Sequence, residues 1–316
     1  MTMIPKKRSP YSAIVDRPVL KLPGDAKIIV WKVVNLEVWD IARPMARQVL
    51  PAPTGVVLLP DVPDWAWHEY GMRVGFWRFK KLYDSLGIKP TLSINARVTV
   101  DCPRVVQACV EAGWKFMAHA YEQMPIHKID DQQAMIERTM DTLERFSGKR
   151  PVGWLGPGLT QTLETPDLLA AAGVKYIGDF PYDDEPTDIQ TAHGPLVTLP
   201  YAVENNDIPI MMVQHHMAAY WTQKCIDTFD RYYLKAKERP KIMSTAIHPT
   251  SVISRFALAT LKRCTSTSSN TAVWCTGTMS KSPTGTPVRK AERPNGSTDL
   301  RPEPKRQRGL PVQSRW

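Results

Sequence analysis

Short apolar runs alternate along the first 250 residues with longer segments in which apolar side chains recur every three or four positions. The short runs are typical of buried strands and the longer segments of amphipathic helices, so their alternation predicts repeated βα units and a parallel sheet. The predicted strands are residues 26–37, 90–95, 114–119, 152–155, 174–179, 196–201, 208–213 and 241–248. The predicted helices are residues 72–86, 102–112, 130–146, 165–172 and 222–237.

The pattern stops near residue 251, and 18 of the residues from there to the end are Ser or Thr. It therefore predicts an N-terminal arm (1–25), a barrel domain (26–250) and a disordered tail (251–316). The alternative for the tail is a frameshifted product, because a one-base shift within permitted codons turns 264–275 into a plausible helix, turn and strand. Sequencing the gene near codon 250 separates the two interpretations.

The net charge of +10 alone would suggest a nucleic-acid partner, but this charge is concentrated in the last part of the chain. Residues 251–316 hold 12 of the Lys and Arg residues and 3 of the Asp and Glu residues, so the first 250 residues are nearly neutral. The basic segment 305–308 has no interleaved aromatic residues. We therefore expect no nucleic-acid partner.

Five cysteines form no CxxC pair, which argues against a disulfide framework or a zinc knuckle. The chain contains no apolar run as long as a signal peptide or a membrane span, and no phosphate-binding glycine motif follows a strand. These features predict a cytoplasmic protein that uses no nucleotide cofactor and has no membrane partner.

Polar or aromatic residues close most of the predicted strands. In a parallel barrel these positions converge on one rim, where catalytic groups of such folds lie. Several have a plain structural alternative, namely a salt bridge at the barrel rim for Glu37, a satisfied core histidine for His119, loop punctuation for His248, a solvated loop for Asp179 and core packing for Trp154. The strand-end residues are Glu37, Asn95, His119, Trp154, Asp179, Tyr201 and His248.

Four segments resemble the NodB-homology polysaccharide deacetylase superfamily, and within it the allantoinases and cyclic imide hydrolases. The resemblance covers roughly residues 10 to 250. It implies a distorted (β/α)7-type barrel and hydrolysis of non-peptide carbon–nitrogen bonds. The segments are 69–83 (EYGMRVGFWRFKKLY), 112–123 (AGWKFMAHAYEQ), 148–158 (GKRPVGWLGPG) and 244–249 (STAIHP).

Several family motifs are altered in this chain. Glu37 keeps the carboxylate that the family uses as general base, but Val38 replaces the carboxylate that binds metal. The HxxxH motif retains His119 and has Gln123 in place of the second histidine, and the usual arginine of the RPPYG motif is missing from 155–158. Because a divalent ion needs about three protein ligands, the resemblance implies no catalytic metal, with a weak ion at His119 left open.

Without a metal, Glu37 would activate water while His248 or His119 protonates the leaving nitrogen or stabilises the oxyanion. This chemistry favours a small cyclic amide, imide or ureide over an unstrained N-acetyl group. The residues expected to contact such a ring are Trp39, Asn95, Gln123, Trp154, Asp179 and Asp184.

Two other functions stay open at this point. One is a metal-dependent carbohydrate N-deacetylase with an ion at His119, and the other is a catalytically inactive barrel. The resemblance to allantoinases also implies a homo-oligomer, such as a tetramer, that acts on a small-molecule substrate.

Overall fold

The computed structural model describes residues 3–45, 55–56 and 58–250, together with the backbone of 273–274. Its centre is a curved sheet with the strand order β6-β7-β5-β4-β3-β2-β1-β8. Neighbouring strands are parallel except for the antiparallel pair β6 and β7. The strands are β1 Ile28–Leu36, β2 Thr91–Ile94, β3 Lys115–Ala118, β4 Gly153–Trp154, β5 Tyr176–Ile177, β6 Thr187–Ile189, β7 Leu196–Thr198 and β8 Lys241–Ile247, with β9 Val273–Trp274 also paired to β1.

The helices of the described chain connect or flank these strands. They are α1 Pro5–Arg8, α2 Val62–Tyr70, α3 Phe76–Ser85, α4 Val98–Asp101, α5 Pro103–Glu111, α6 Gln132–Ser147, α7 Thr165–Ala171 and α8 Ala218–Lys235. Side chains begin two of them: Asp61 accepts a hydrogen bond from the backbone of Asp64 in α2, and Asp131 accepts one from the backbone of Ala134 in α6. Gly148 ends α6 in the left-handed conformation that glycine adopts at little cost.

β1 lies between β2 and β8 and is buried along its whole length. Its register with β2 pairs Leu36 with Ile94, and the register of β2 with β3 pairs Ile94 with Ala118. Backbone hydrogen bonds continue one residue further, from Asn95 to Leu36 and from His119 to Ile94. The carboxyl ends of these strands therefore form one edge, on which their next side chains meet.

A π-helical turn, Gly71–Gly75, joins α2 to α3 without a break. Its first residue lies against the chain that follows β8, since a Cβ added to Gly71 would stand 2.5 Å from Thr250 Cγ2 and 2.9 Å from its backbone nitrogen. Only glycine permits this approach. The turn therefore fixes the chain just after β8 against the helix.

The core is packed by apolar side chains of the helices against the outer face of the sheet. Phe76, Phe79 and Tyr83 of α3 form an aromatic group with Trp114, with ring centroids 5.2 to 6.3 Å apart. These contacts account for the helical spacing of apolar residues that predicted α3, because the buried positions recur every three or four residues.

The N-terminal arm is tied to the barrel by a buried arginine. Arg8 is 2% exposed and donates two hydrogen bonds to the carboxylate of Asp167 in α7, 3.0 and 2.5 Å long. It also donates to the backbone oxygens of Gln190 and Leu163. These bonds satisfy a charge that would be costly to bury without a partner.

The predicted α/β arrangement is confirmed, but some segments differ. Residues 208–213 are a π-helix, Ile208–Val213, and not a strand, because a six-residue apolar run does not distinguish a buried strand from one helical turn. The antiparallel strand β6 and the helix α2 were not predicted. The tail 251–316 lies outside the described residues except for the backbone of β9, so neither interpretation of it is tested.

Within residues 3–45, 55–56 and 58–250, each helix is too short or too polar to span a lipid bilayer. The cytoplasmic location and the homo-oligomeric state stay predictions.

Candidate active site

The carboxylate of Glu37, just beyond β1, lies between the two predicted histidines. Its Oε1 atom is 3.4 Å from His248 Nε2 and 3.5 Å from His119 Nε2. Oε1 also accepts a 3.0 Å hydrogen bond from Gln123 Nε2, and Oε2 accepts a 3.2 Å bond from Trp39 Nε1. The structure thus brings together the three residues predicted to be catalytic, surrounded by polar groups.

These neighbours determine the ionisation of Glu37. Burial acts to raise the pKa of this carboxyl, but the positive charge and hydrogen bond of His248, together with the adjacent imidazole of His119, outweigh it. The pKa of Glu37 therefore lies far below its usual range. The group is a carboxylate at every physiological pH.

His248, directly after β8, is held by a carboxylate that the sequence did not point to. Its Nδ1 donates a 2.7 Å hydrogen bond to Asp207 Oδ1, and its backbone nitrogen donates a 2.7 Å bond to Asp207 Oδ2. Burial lowers the pKa of His248, but the charges of Asp207 and Glu37 raise it to about 10. His248 is therefore an imidazolium at neutral pH, with Nε2–H directed toward Glu37.

A backbone bridge brings Asp207 to this position. Asn206 pairs in parallel with Ala246 of β8, so the next residue lies alongside the end of that strand. Asp207 is 0% exposed, and a carboxylate so deeply buried requires a charged partner. The segment 208–213 was expected to be a strand, and nothing in its apolar pattern marked the preceding aspartate as the partner of His248.

His119 follows β3 and is oriented by the backbone of the neighbouring strand. Its Nδ1 donates to the carbonyl oxygen of Leu155 over 2.5 Å, which fixes the proton of the neutral ring on Nδ1. In that tautomer Nε2 is an acceptor, and among the described residues it is buried without a hydrogen-bond partner, 3.5 Å from Glu37 Oε1. A proton donor beside these two acceptors, such as water or a substrate N–H, can bridge them.

Asn95 and Gln123 organise the groups around Glu37. Asn95 Oδ1 accepts a 2.9 Å bond from the backbone nitrogen of Val38, and its Nδ2 donates to the carbonyl oxygen of His119 and to Gln123 Oε1. The amide of Asn95 is thus occupied by protein groups. Gln123, in contrast, directs its Nε2 at Glu37 and stands where the family motif has its second histidine.

Trp39 and an unpredicted histidine form an aromatic surface beside Glu37. The ring of His68 in α2 lies 5.3 Å from that of Trp39, at an interplanar angle of 39°. Burial lowers the pKa of His68 to about 4, even though the charge of Glu37 acts to raise it. His68 is therefore neutral at physiological pH.

The side chains of Asp179 and Trp154 are both engaged in contacts within the protein. Burial raises the pKa of Asp179 to about 7, and its carboxylate accepts 2.5 Å bonds from the backbone nitrogen of Gly156 and from Gln161 Nε2. It therefore holds the loop after β4. Trp154 is 0% exposed and belongs to the hydrophobic core, so the geometry favours the packing alternative over a substrate surface.

Asp184 is not brought to the cluster. Its carboxylate accepts bonds from Lys241 Nζ and Tyr232 Oη, and Lys241 begins β8 at the end opposite His248. Asp184 lines a separate cavity of about 570 Å³ beside the N-terminal arm, which none of Glu37, His119 and His248 lines. The structure therefore does not support the expected contact between Asp184 and a ring substrate. Asp179 and Asp184 are close in sequence, but they do not reach the same edge of the sheet.

The metal that polysaccharide deacetylases use does not fit the donors present. His248 carries its proton because Asp207 and Glu37 stabilise the cation, which leaves Glu37 and His119 as a pair of ligands. A structural or catalytic zinc ion takes at least three protein ligands. Among the described residues no group of three or more His, Cys, Asp or Glu side chains could hold an ion.

The fold is similar to those of solved enzymes. PuuE allantoinase superimposes with a TM-score of 0.72 at 24% identity, covering 81% of this chain and 88% of that chain. A probable polysaccharide deacetylase of Pseudomonas aeruginosa PAO1 gives 0.72 at 25% identity, with coverages of 80% and 89%. A putative polysaccharide deacetylase of Mycobacterium smegmatis gives 0.64 at 17% identity, with coverages of 79% and 86%.

Similarity to a curated sequence is more limited. A peptidoglycan deacetylase-like protein of Gibberella zeae, FGM2, is 31% identical over 108 residues, which is 33% of this chain and 32% of that protein. The match thus spans about a third of the relative. No protein-family model matches the chain. The comparisons confirm the resemblance to the polysaccharide deacetylase superfamily, including an allantoinase, and its distorted barrel.

Proposed function

We propose that this chain, with its polysaccharide deacetylase-like hydrolase fold, opens a small cyclic amide, imide or ureide without a metal ion. The observation that carries the proposal is that one carboxylate lies close to two imidazoles whose Nε2 atoms differ in protonation. Glu37 Oε1 faces the protonated Nε2 of His248 and the unprotonated Nε2 of His119. Groups poised in opposite protonation states are what general acid and base catalysis requires.

Water activation is assigned to Glu37. A water molecule that bridges Glu37 and His119 from the side donates to both acceptors, and Glu37 takes one of its protons as the oxygen attacks the ring carbonyl. The carboxylate is a weak base while three donors, on His248, Gln123 and Trp39, surround it. Displacement of Gln123 by a substrate carbonyl strengthens the base at the moment of reaction, because one stabilising hydrogen bond is lost.

Protonation of the leaving nitrogen is assigned to His248. The charge of Glu37 helps to raise the pKa of His248, so protonating Glu37 lowers that pKa and makes His248 a better acid. The C–N bond breaks as the Nε2 proton passes to the ring nitrogen. The proton on Glu37 then returns to His248 across 3.4 Å, which restores the starting state.

A flat ring fits the surroundings of Glu37. Trp39 and His68 present their rings beside the carboxylate, and aromatic faces pack well against planar amides. Strain or electronic activation in the ring lowers the barrier, which suits a site that lacks Lewis-acid assistance.

The test is turnover of allantoin, hydantoin, succinimide and acetylated sugars by the purified protein and by Glu37→Gln. We expect turnover of at least one cyclic compound, reduced by about 10³-fold or more in the variant, since a general base contributes 10²–10⁴. The matched control is Glu122→Gln, a nearby carboxylate that pairs with Arg97 and Arg43. Its activity should stay close to that of the unaltered protein.

The outcomes separate the alternatives. Stoichiometric zinc by elemental analysis, together with chelator-sensitive release of acetate from the sugars, would favour the metal-dependent N-deacetylase. Absence of turnover on the whole panel by well-folded protein would favour an inactive barrel.

A further inference from the structure

His68 is a buried imidazole that the proposed reaction does not use. It is 9% exposed, and its Nε2 atom is inaccessible to solvent and has no hydrogen-bond partner in the described chain. A buried polar atom left without a partner costs stability, so such an atom requires an explanation in a folded protein.

The position of His68 in its helix directs it toward the cluster. His68, Met72 and Phe76 follow one another at intervals of four residues through α2 and the π-helical turn, so they share one face. Met72 and Phe76 belong to the hydrophobic core. His68 extends this buried face by one turn, to the edge where the strands end.

Its ring contacts connect His68 to the proposed base. The ring lies 5.3 Å from Trp39, whose Nε1 donates to Glu37 Oε2 over 3.2 Å. Trp67 also packs against His68, edge to face, with the ring centroids 5.2 Å apart. His68 is therefore fixed by aromatic neighbours while its Nε2 atom is left for another partner.

We infer that His68 is a substrate-positioning residue, whose neutral imidazole hydrogen-bonds through Nε2 to a ring N–H or ring carbonyl of a planar cyclic ligand lying against Trp39. This inference rests on the proposed function. A neutral ring is suited to the role, because an imidazolium there would compete with His248 for the charge of Glu37. Burial, which favours the uncharged form, supplies that neutrality.

The experiment compares His68→Phe with His68→Gln. Phenylalanine keeps an aromatic ring between Trp39 and Trp67 but has no hydrogen-bonding atom, whereas glutamine restores one. We expect His68→Phe to raise KM for hydantoin or succinimide by about 10-fold, equivalent to ~1.4 kcal/mol, with kcat changed much less. His68→Gln should recover part of the lost affinity.

A role limited to packing would give a different pattern. Loss of folded enzyme lowers the apparent kcat and leaves KM unchanged, so an unaltered KM in folded His68→Phe overturns the inference. If His68→Phe fails to fold, a second measurement applies. Glu37→Gln is labelled with ¹⁵N-histidine, and the Nε2 resonance of His68 is followed by NMR as hydantoin is added. The resonance is assigned by its absence from the spectrum of His68→Gln. A resonance that does not shift at saturating hydantoin also overturns it.

The failure of the inference differs from the failure of the proposed function. Normal turnover with an unaltered KM in His68→Phe rejects His68 alone. If the unaltered protein neither binds nor turns over any cyclic compound, the proposed function is rejected and the role of His68 is rejected with it.

Discussion

Replacement of Asp207 by asparagine tests the charge on His248 directly. Asparagine keeps the size of the side chain and can still accept from Nδ1, but it removes a negative charge 2.7 Å from the imidazole. One of the two hydrogen bonds from His248 is also lost, because the amide nitrogen cannot accept from the second donor. Folding should weaken by about 1–3 kcal/mol for this reason alone.

The magnitude of the titration shift follows from the groups around His248. Its pKa stands at about 10 against an ordinary 6.5, although burial acts to lower it, so Asp207 and Glu37 together more than account for the difference. Asp207 is the larger contributor. Its removal should lower the pKa of His248 by about 2 units or more, equivalent to ~3 kcal/mol of lost stabilisation of the cation.

Two assays detect this shift. The alkaline limb of kcat/KM, near pH 10 in the unaltered protein, should move to about pH 8 in Asp207→Asn. Stability should respond in the same direction: a raised pKa in the folded state stabilises the fold fully below about pH 6.5 and this contribution is lost as the pH rises through the folded value. Both proteins should begin to lose this contribution above about pH 6.5, but the decline in melting temperature should level off near about pH 8 in the variant, and the total decline should be smaller than in the unaltered protein.

The control is Asp141→Asn, which removes the same charge from an exposed position on α6 where Asp141 pairs with Arg150. Its pH profiles should match those of the unaltered protein. An alkaline limb that stays within about half a unit of pH 10 in Asp207→Asn would refute the reasoning, since it would mean that another group holds the proton on His248.

Two further changes test how the fold positions the site. Gly71→Ala should destabilise the protein by about 1–3 kcal/mol and reduce kcat, because the added Cβ would displace Thr250 just beyond His248. Thermal unfolding and kinetics measure the two effects, and an active, equally stable variant would contradict the packing. Arg8→Ala should cost about 1.5–3 kcal/mol in chemical denaturation, because the carboxylate of Asp167 and two backbone oxygens lose hydrogen bonds from a buried guanidinium. The exposed Arg150→Ala should cost less than about 1 kcal/mol, and equal losses would show that the arm is not anchored by this pair.

The sequence predicted the residues that lie at strand ends. Glu37, His119 and His248 each follow a buried apolar run, and parallel strands bring such positions to one edge whatever the details of the loops. Their convergence was therefore predictable from strand order alone. The resemblance to known deacetylases strengthened the assignment of roles, since it identified which carboxylate takes the place of the base.

Residues that enter from loops and helices were not predictable in this way. Asp207 reaches His248 through the bridge between Asn206 and β8, and His68 arrives on a helix that the sequence did not reveal. Neither lies near its partner along the chain, and no local periodicity encodes such contacts. The prediction for Asp184 failed for the opposite reason. Asp184 is close to Asp179 in sequence, but the two carboxylates lie toward different ends of the sheet.

The arrangement of Asp207, His248 and Glu37 has a consequence for what leaves the pocket. Asp207 and Glu37 are negatively charged and His248 between them is positively charged, so with a neutral His119 this cluster carries a net negative charge. On the proposed function, a neutral ring enters without electrostatic penalty, and the carboxylic acid that ring opening leaves becomes a carboxylate in the same space once it releases its proton to solvent. Like charges repel strongly where water is scarce, so the ring-opened anion is expelled by the same residues that made it, and product inhibition should be weak.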